Sequence, residues 1–100
     1  MPETCLTLIC PRGLEENVLD LLLAMAGTAV IESMPCHVHG LDPRRLDAAE
    51  QVLGGARATR IEVIVAESDK AAILGALRKR FRQAGLRYWA VPVEGSGGIA

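Results

Sequence analysis

The chain is poor in aromatic residues, with one Phe, one Tyr and one Trp in 100 positions. Its core must be built mainly from Ala, Val, Ile and Leu, which suits strands and helices packed in two layers. Cysteine is scarce as well. Three is an odd number, and the spacing of Cys5, Cys10 and Cys36 is not that of a disulfide scaffold, so a reducing cytoplasm is the expected setting. No apolar run approaches the roughly 18 residues a membrane span needs. The longest, Leu21 to Val30, is broken by Gly27 and Thr28. The first ten residues carry Glu3 and no basic flank, so they do not read as a secretion signal. Excess charge is missing too. The formal net charge is -1, which argues against electrostatic binding of the whole molecule to nucleic acid. Catalytic motifs are absent: Ser33, Ser68 and Ser96 have no evident base partner, and no nucleophile elbow occurs, so a non-enzymatic protein is expected.

Half of the residues are hydrophobic and 23% are charged, a balance that supports one folded domain over residues 1–100. Thr4 to Cys10 reads as a central strand, with Leu6, Leu8 and Cys10 on one face and Cys5, Thr7 and Ile9 on the other. Leu14 to Ala26 reads as a helix that buries Leu14, Val18, Leu21, Leu22 and Met25 and stops at Gly27. Thr28 to His39 reads as a second strand. Pro35 cannot donate to a ladder, so that strand belongs at an edge. Between Gly40 and Arg57, a short helix through Leu46, Ala49, Val52 and Leu53 would end at Gly54-Gly55. Thr59 to Ala66 is a third strand. Ser68-Asp69 caps a helix that runs to about Ala84, with Ile73, Leu74, Leu77, Phe81 and Ala84 buried. Leu86 to Val93 is the last strand, and Pro92 places it at an edge. Residues 94–100 read as a flexible tail.

The order strand, helix, strand, strand, helix, strand is that of the ferredoxin-like α+β sandwich, βαββαβ, whose antiparallel sheet runs 4-1-3-2. Both strand prolines fall on its predicted edges.

Three constellations carry chemistry. The first is Cys36-His37-Val38-His39. Residues two apart on a strand share a face about 6.5–7 Å apart, which suits two imidazole ligands of zinc, copper or a similar transition metal. Cys36 points the other way unless the backbone is irregular at Pro35; with that irregularity Cys36, His37 and His39 form the metal site, and without it a third ligand comes from Asp42, Glu50 or another subunit. The competing reading is two surface histidines beside a half-buried thiol. The second constellation is a charge asymmetry. Residues 1–50 hold 3 basic and 8 acidic side chains, and residues 51–100 hold 8 and 4. No acidic residue lies between Lys70 and Val93. Basic residues are favoured at a helix C-terminus, which accounts for most of Arg78 to Arg82. The functional alternative is an anion site made by Arg57, Arg60 and Arg87. The third is Gly54-Gly55, whose bared amides would suit a phosphate beside Arg57, against the simpler reading of a loop hinge. Cys5 and Cys10, on opposite faces of one strand, read as small buried hydrophobes.

Three stretches resemble a known family: His37-Val38-His39-Gly40, Glu50-Gln51-Val52-Leu53-Gly54 and, most specifically, Tyr88-Trp89-Ala90-Val91-Pro92-Val93. They are similar to a small family of PII-like proteins of unknown function, encoded beside heavy-metal efflux pumps of the resistance-nodulation-division type. That family is related to the PII signalling proteins and the divalent-cation-tolerance proteins. The resemblance implies a homotrimer with its sheets around a central axis and ligand sites in the clefts between subunits. It also implies a loop after the second strand that touches a target. The function expected is that of a cytoplasmic regulator that senses a transition metal or an adenine nucleotide (ATP, ADP or AMP) and modulates a membrane transporter, such as a heavy-metal efflux pump. The alternative is a cytosolic metal buffer or chaperone without a regulatory target.

Overall fold

The computed structural model describes residues 2–27, 29–40 and 55–100. The first strand, β1, spans Glu3–Pro11, and the first helix, α1, spans Glu15–Ala26. Two strands follow, β2 at Ile31–His39 and β3 at Gly55–Ala66. A single 3-10 turn at Glu67–Asp69 leads into the helix α2, Lys70–Arg80, and β4 closes the order at Arg87–Val93. The four strands form one antiparallel sheet in the order β2-β3-β1-β4, the predicted arrangement read from the other edge.

β1 is central because both of its faces can be buried. Leu6, Leu8 and Cys10 meet Val63, Ile61 and Thr59 of β3 in register. With Val65, this face forms the floor on which Val18 and Leu22 of α1 and Ile73 and Leu77 of α2 pack. Leu6, Leu22 and Ile61 are wholly excluded from solvent, and each such side chain contributes about 1.5–3 kcal/mol through the hydrophobic effect. Pro35 and Pro92 sit on β2 and β4, the two edges, where a missing N–H leaves no ladder bond unmade.

Several boundaries differ from the sequence reading. β2 begins at Ile31 rather than Thr28, and β3 begins at Gly55 rather than Thr59. α1 buries Val18, Leu21 and Leu22 but leaves Met25 exposed, while its neighbour Ala26 packs against the core. The chain turns at Gly27, whose φ of 64° falls in the left-handed region that glycine tolerates. α2 lacks the expected cap: no side chain of Ser68 or Asp69 bonds its first amides, and the chain enters through the 3-10 turn instead. α2 ends at Arg80, not Ala84. The Phe81 N–H still donates to the Leu77 carbonyl, but Ala84 then bonds back to Phe81 in an i+3 turn, with Gln83 at φ 59°. The proposed short helix through Leu46, Ala49, Val52 and Leu53, along with Asp42, Glu50 and Gly54, lies outside the described residues. Residues 94–100 belong to no strand or helix, and the Ser96 hydroxyl donates to Glu3 Oε1 at 2.7 Å.

The second face of the sheet carries no layer among the described residues. It presents Cys5, Thr7 and Ile9 of β1, Arg60, Glu62 and Ile64 of β3, and Trp89 and Val91 of β4. Met34, Cys36 and Val38 extend it onto β2.

Candidate functional site

Strand alternation decides what the open face can offer. In one cross-strand row, Glu62 and Trp89 flank Thr7; in the next, Arg60 and Arg87 flank Ile9. Two strand spacings set the members of each flanking pair about 10 Å apart. Glu62 ties the first row together. Its Oε2 accepts from the Thr7 hydroxyl at 3.3 Å and from the Cys5 thiol at 3.4 Å. Its Oε1 faces Arg60 Nε at 3.4 Å, an ion pair without hydrogen-bond geometry. The Arg60 guanidinium lies 5.7 Å from the centre of the Trp89 ring, a cation–π contact that holds both side chains over the sheet. Burial pushes the Cys5 thiol up from its ordinary range, and the hydrogen bond to the Glu62 carboxylate and its charge add to the rise.

Toward the end of β2 this face opens into a cavity of about 420 Å³. Arg60, Arg87 and Trp89 border it on one side, and Cys36, His37 and His39 on the other. A flat indole and two guanidiniums suit a ligand that combines an aromatic ring with negative charge. Of the β2 residues there, Cys36 belongs to this face, whereas His37 and His39 belong to the opposite one.

The sequence-predicted residues are thus divided. Arg60 and Arg87 meet at the cavity. Arg57, an odd number of positions from Arg60, pairs with His37 across from β2 on the other face and borders a separate hollow of about 580 Å³ with Arg12 and Glu15. His37 and His39 share a face, paired with Arg57 and Gly55, while Cys36 faces the opposite way, opposite Ala58. No group of three His, Cys, Asp or Glu side chains among the described residues is placed to hold a metal ion. Gly55 has an unforeseen function: a β-carbon there would stand 2.8 Å from His39 Nδ1, so the glycine makes room for the ring. Cys10 is wholly buried, and desolvation, with the nearby Glu15 and Cys36, pushes its thiol up to about 11.

Trp89 is the site residue that residue spacing did not find. It stood in the Tyr88–Val93 stretch that carried the family likeness, but its place beside Arg60 depends on the pairing of β4 with β1.

A family described as proteins of unknown function, DUF3240, matches residues 1–100. Among solved structures, the chain is similar to a DUF3240 family protein from Shewanella baltica OS155, at 18% identity over 98% of this chain and 97% of that one, with a TM-score of 0.80. It is also similar to CPII, a nitrogen regulatory PII-like protein from Thiomonas intermedia K12 whose structure holds ADP, AMP and bicarbonate. There the identity is 17% over 99% and 98% of the two chains, with a TM-score of 0.74. A third likeness is to the periplasmic divalent cation tolerance protein CutA from Archaeoglobus fulgidus, at 14% identity over 94% and 86%, with a TM-score of 0.70. At these identities the structural likenesses establish a shared PII-like fold. No curated protein matches the chain. No described helix is long and apolar enough to cross a membrane.

Proposed function

The chain belongs to the DUF3240 family, and from that premise we propose that it is a PII-like regulatory protein that binds an adenine nucleotide and passes its binding state to a membrane transporter. The observation that carries the ligand half is the cavity where Arg60, Arg87 and Trp89 converge. Guanidiniums pair with phosphate through two hydrogen bonds at once, and an indole face stacks on a base. The occupancy of CPII by ADP and AMP supports the same class of ligand. The transporter half, of the heavy-metal efflux type, is supported by the likeness carried by His37–Gly40 and Tyr88–Val93.

The uncovered sheet face supports assembly. Cys5, Ile64 and Val91 form a cross-strand row outside that cavity, an apolar surface that would cost free energy to leave in water, and we assign it to the interior of a homotrimer. We read the role as binding, not turnover, in a cytoplasmic setting.

A second reading is favoured by one observation: His37 and His39 share one face of β2. In it, zinc or copper is the ligand, bound by the two imidazoles with the thiol or another subunit completing the site. The protein is then a metal sensor or a cytosolic metal buffer.

Native mass spectrometry of the purified protein, alone and with ADP, AMP, ATP, zinc or copper, tests these readings together. Three copies that take up adenine nucleotide support the first. Three copies that bind metal and ignore nucleotide move the function to the second. A monomer that binds neither removes both.

A further inference from the structure

A third cavity, of about 490 Å³, lies on the helix side of the sheet at the opposite edge, between the end of α2 and the start of β4. Its volume falls within the roughly 300–1,000 Å³ of small-molecule sites. Its floor is apolar: Leu74, Leu77 and Phe81 come from α2 and its end, and Leu8 and Leu86 from the sheet side. Its rim is cationic, formed by Arg78, Arg82 and Arg87. No carboxylate lines it, and the sequence from Lys70 to Val93 contains none.

The helix dipole alone explains basic residues in the last turn of α2, but it does not explain which of them border the hollow. Lys79 and Arg80 lie outside it, whereas Arg78 and Arg82 line it. Arg78 Nη2 donates to the Tyr88 hydroxyl at 3.5 Å, and its guanidinium lies 5.9 Å from the centre of the Tyr88 ring. That contact bridges the hollow from helix to strand and fixes one charge at its mouth. Gln83, also on the rim, is the one non-glycine residue with positive φ among the described residues. A backbone in that region is held by its surroundings and is common at ligand clamps.

We propose that this cavity binds a small amphiphilic oxyanion, with its charged head on Arg78 and Arg82 and its hydrocarbon body against Leu74, Leu77 and Leu86. An apolar floor under a cationic rim selects against both a bare inorganic anion and an uncharged or cationic amphiphile. Arg87 borders this cavity and the Arg60–Trp89 cavity alike, so the two lie back to back across β4. The proposal stands independently of the nucleotide reading.

The test is titration of the full chain with octanoate, octyl phosphate, octylamine and acetate, followed through backbone amide NMR shifts. Octanoate or octyl phosphate is expected to move the amides of residues 81–88 and to bind at least tenfold more tightly than acetate; which of the two binds more tightly separates an acyl carboxylate from a lipid-like phosphate. Arg78→Glu with Arg82→Glu is expected to weaken that binding by tenfold or more. Both residues are exposed, so an unchanged melting temperature is the control, and Arg78→Ala alone serves if the pair lowers it. Arg87 is left native, which keeps nucleotide binding at the other cavity as a separate readout. Failure of both oxyanions to bind, equal binding of octylamine, equal binding of acetate, or a charge-reversed variant that binds as before overturns the proposal.

Discussion

The His39 imidazole packs against Gly55 so closely that a β-carbon on Gly55 would stand 2.8 Å from Nδ1, 2.9 Å from Cε1 and 3.0 Å from the Val38 carbonyl oxygen. The two residues are register partners, so the last pair of the β2–β3 ladder depends on one of them having no side chain. Gly55→Ala forces the ring out of place and presses on the Val38 carbonyl, which must give by a few tenths of an ångström. The expected cost is about 1–3 kcal/mol of stability. For a domain of this size, each kcal/mol lowers the melting temperature by roughly 4–8 °C. His39→Ala in the Gly55→Ala background should recover part of the loss, because the ring contact goes and the Val38 contact stays. Strict additivity in thermal melts of the two single variants and the double would refute the coupling.

Glu62 occupies a comparable position on the open face. Thr7 is almost fully buried, and the Glu62 carboxylate accepts a hydrogen bond from its hydroxyl and another from the Cys5 thiol. Glu62→Ala leaves both donors unpaired and is expected to cost about 1–3 kcal/mol. Glu62→Gln keeps an acceptor but removes the charge. Part of the upward shift at Cys5 comes from that charge, so Cys5 should ionise at lower pH and react faster with a disulfide reagent in the Gln variant. Thiol-modification rates read per cysteine by mass spectrometry check this, and an unchanged Cys5 rate would contradict it.

What could be read from the residues follows from the range of the interactions involved. The sheet order rested on the strand-helix-strand-strand-helix-strand order of the elements, with Pro35 and Pro92, which cannot donate to a ladder, as an independent check; both lie on edges. The alternation of Leu6, Leu8 and Cys10 against Cys5, Thr7 and Ile9 is a two-residue period set by the pleat itself. The same period separates Arg57 from Arg60, three positions apart, and so divides the expected trio of arginines. The start of β3 was hidden for a different reason. Gly54-Gly55 has the composition of a hinge, and only the approach of His39, sixteen positions earlier, makes Gly55 a strand residue. Trp89 was hidden likewise, since its partner Arg60 lies on a strand two places away in the sheet.

Trp89 is the only tryptophan in the chain, so its fluorescence reports on the cavity directly. Addition of ADP should change the emission of Trp89 saturably. Arg60→Ala removes a phosphate partner and the cation over the ring, and is expected to weaken ADP by tenfold or more, about 1.4 kcal/mol. His37→Ala with His39→Ala should leave ADP affinity within about threefold and abolish zinc or copper uptake if metal is the ligand. The two sets of variants therefore separate the two readings, and a Trp89 signal indifferent to every nucleotide would count against the first.

The buried thiol of Cys10 gives the fold a pH dependence of predictable sign. Desolvation is the main cause of its rise, from an ordinary value of 9.0 to about 11, with Glu15 and Cys36 adding to it. A folded-state pKa above the unfolded one means that the native state holds the proton more tightly. The associated stability is complete below about pH 9 and is lost as the pH rises through 11. A shift of that size corresponds to about 2–3 kcal/mol. Wild type should thus lose stability between pH 9 and pH 11 faster than Cys10→Val, which fills nearly the same space and carries no proton. Subtracting the two urea-unfolding curves across that range cancels the other groups that titrate there, tyrosine and lysine among them. A difference that stays flat to pH 11 would show that the thiol ionises as easily in the folded chain as in the unfolded one. At pH 8 only about a thousandth of Cys10 would be thiolate, so it should also be the last of the three cysteines to be alkylated.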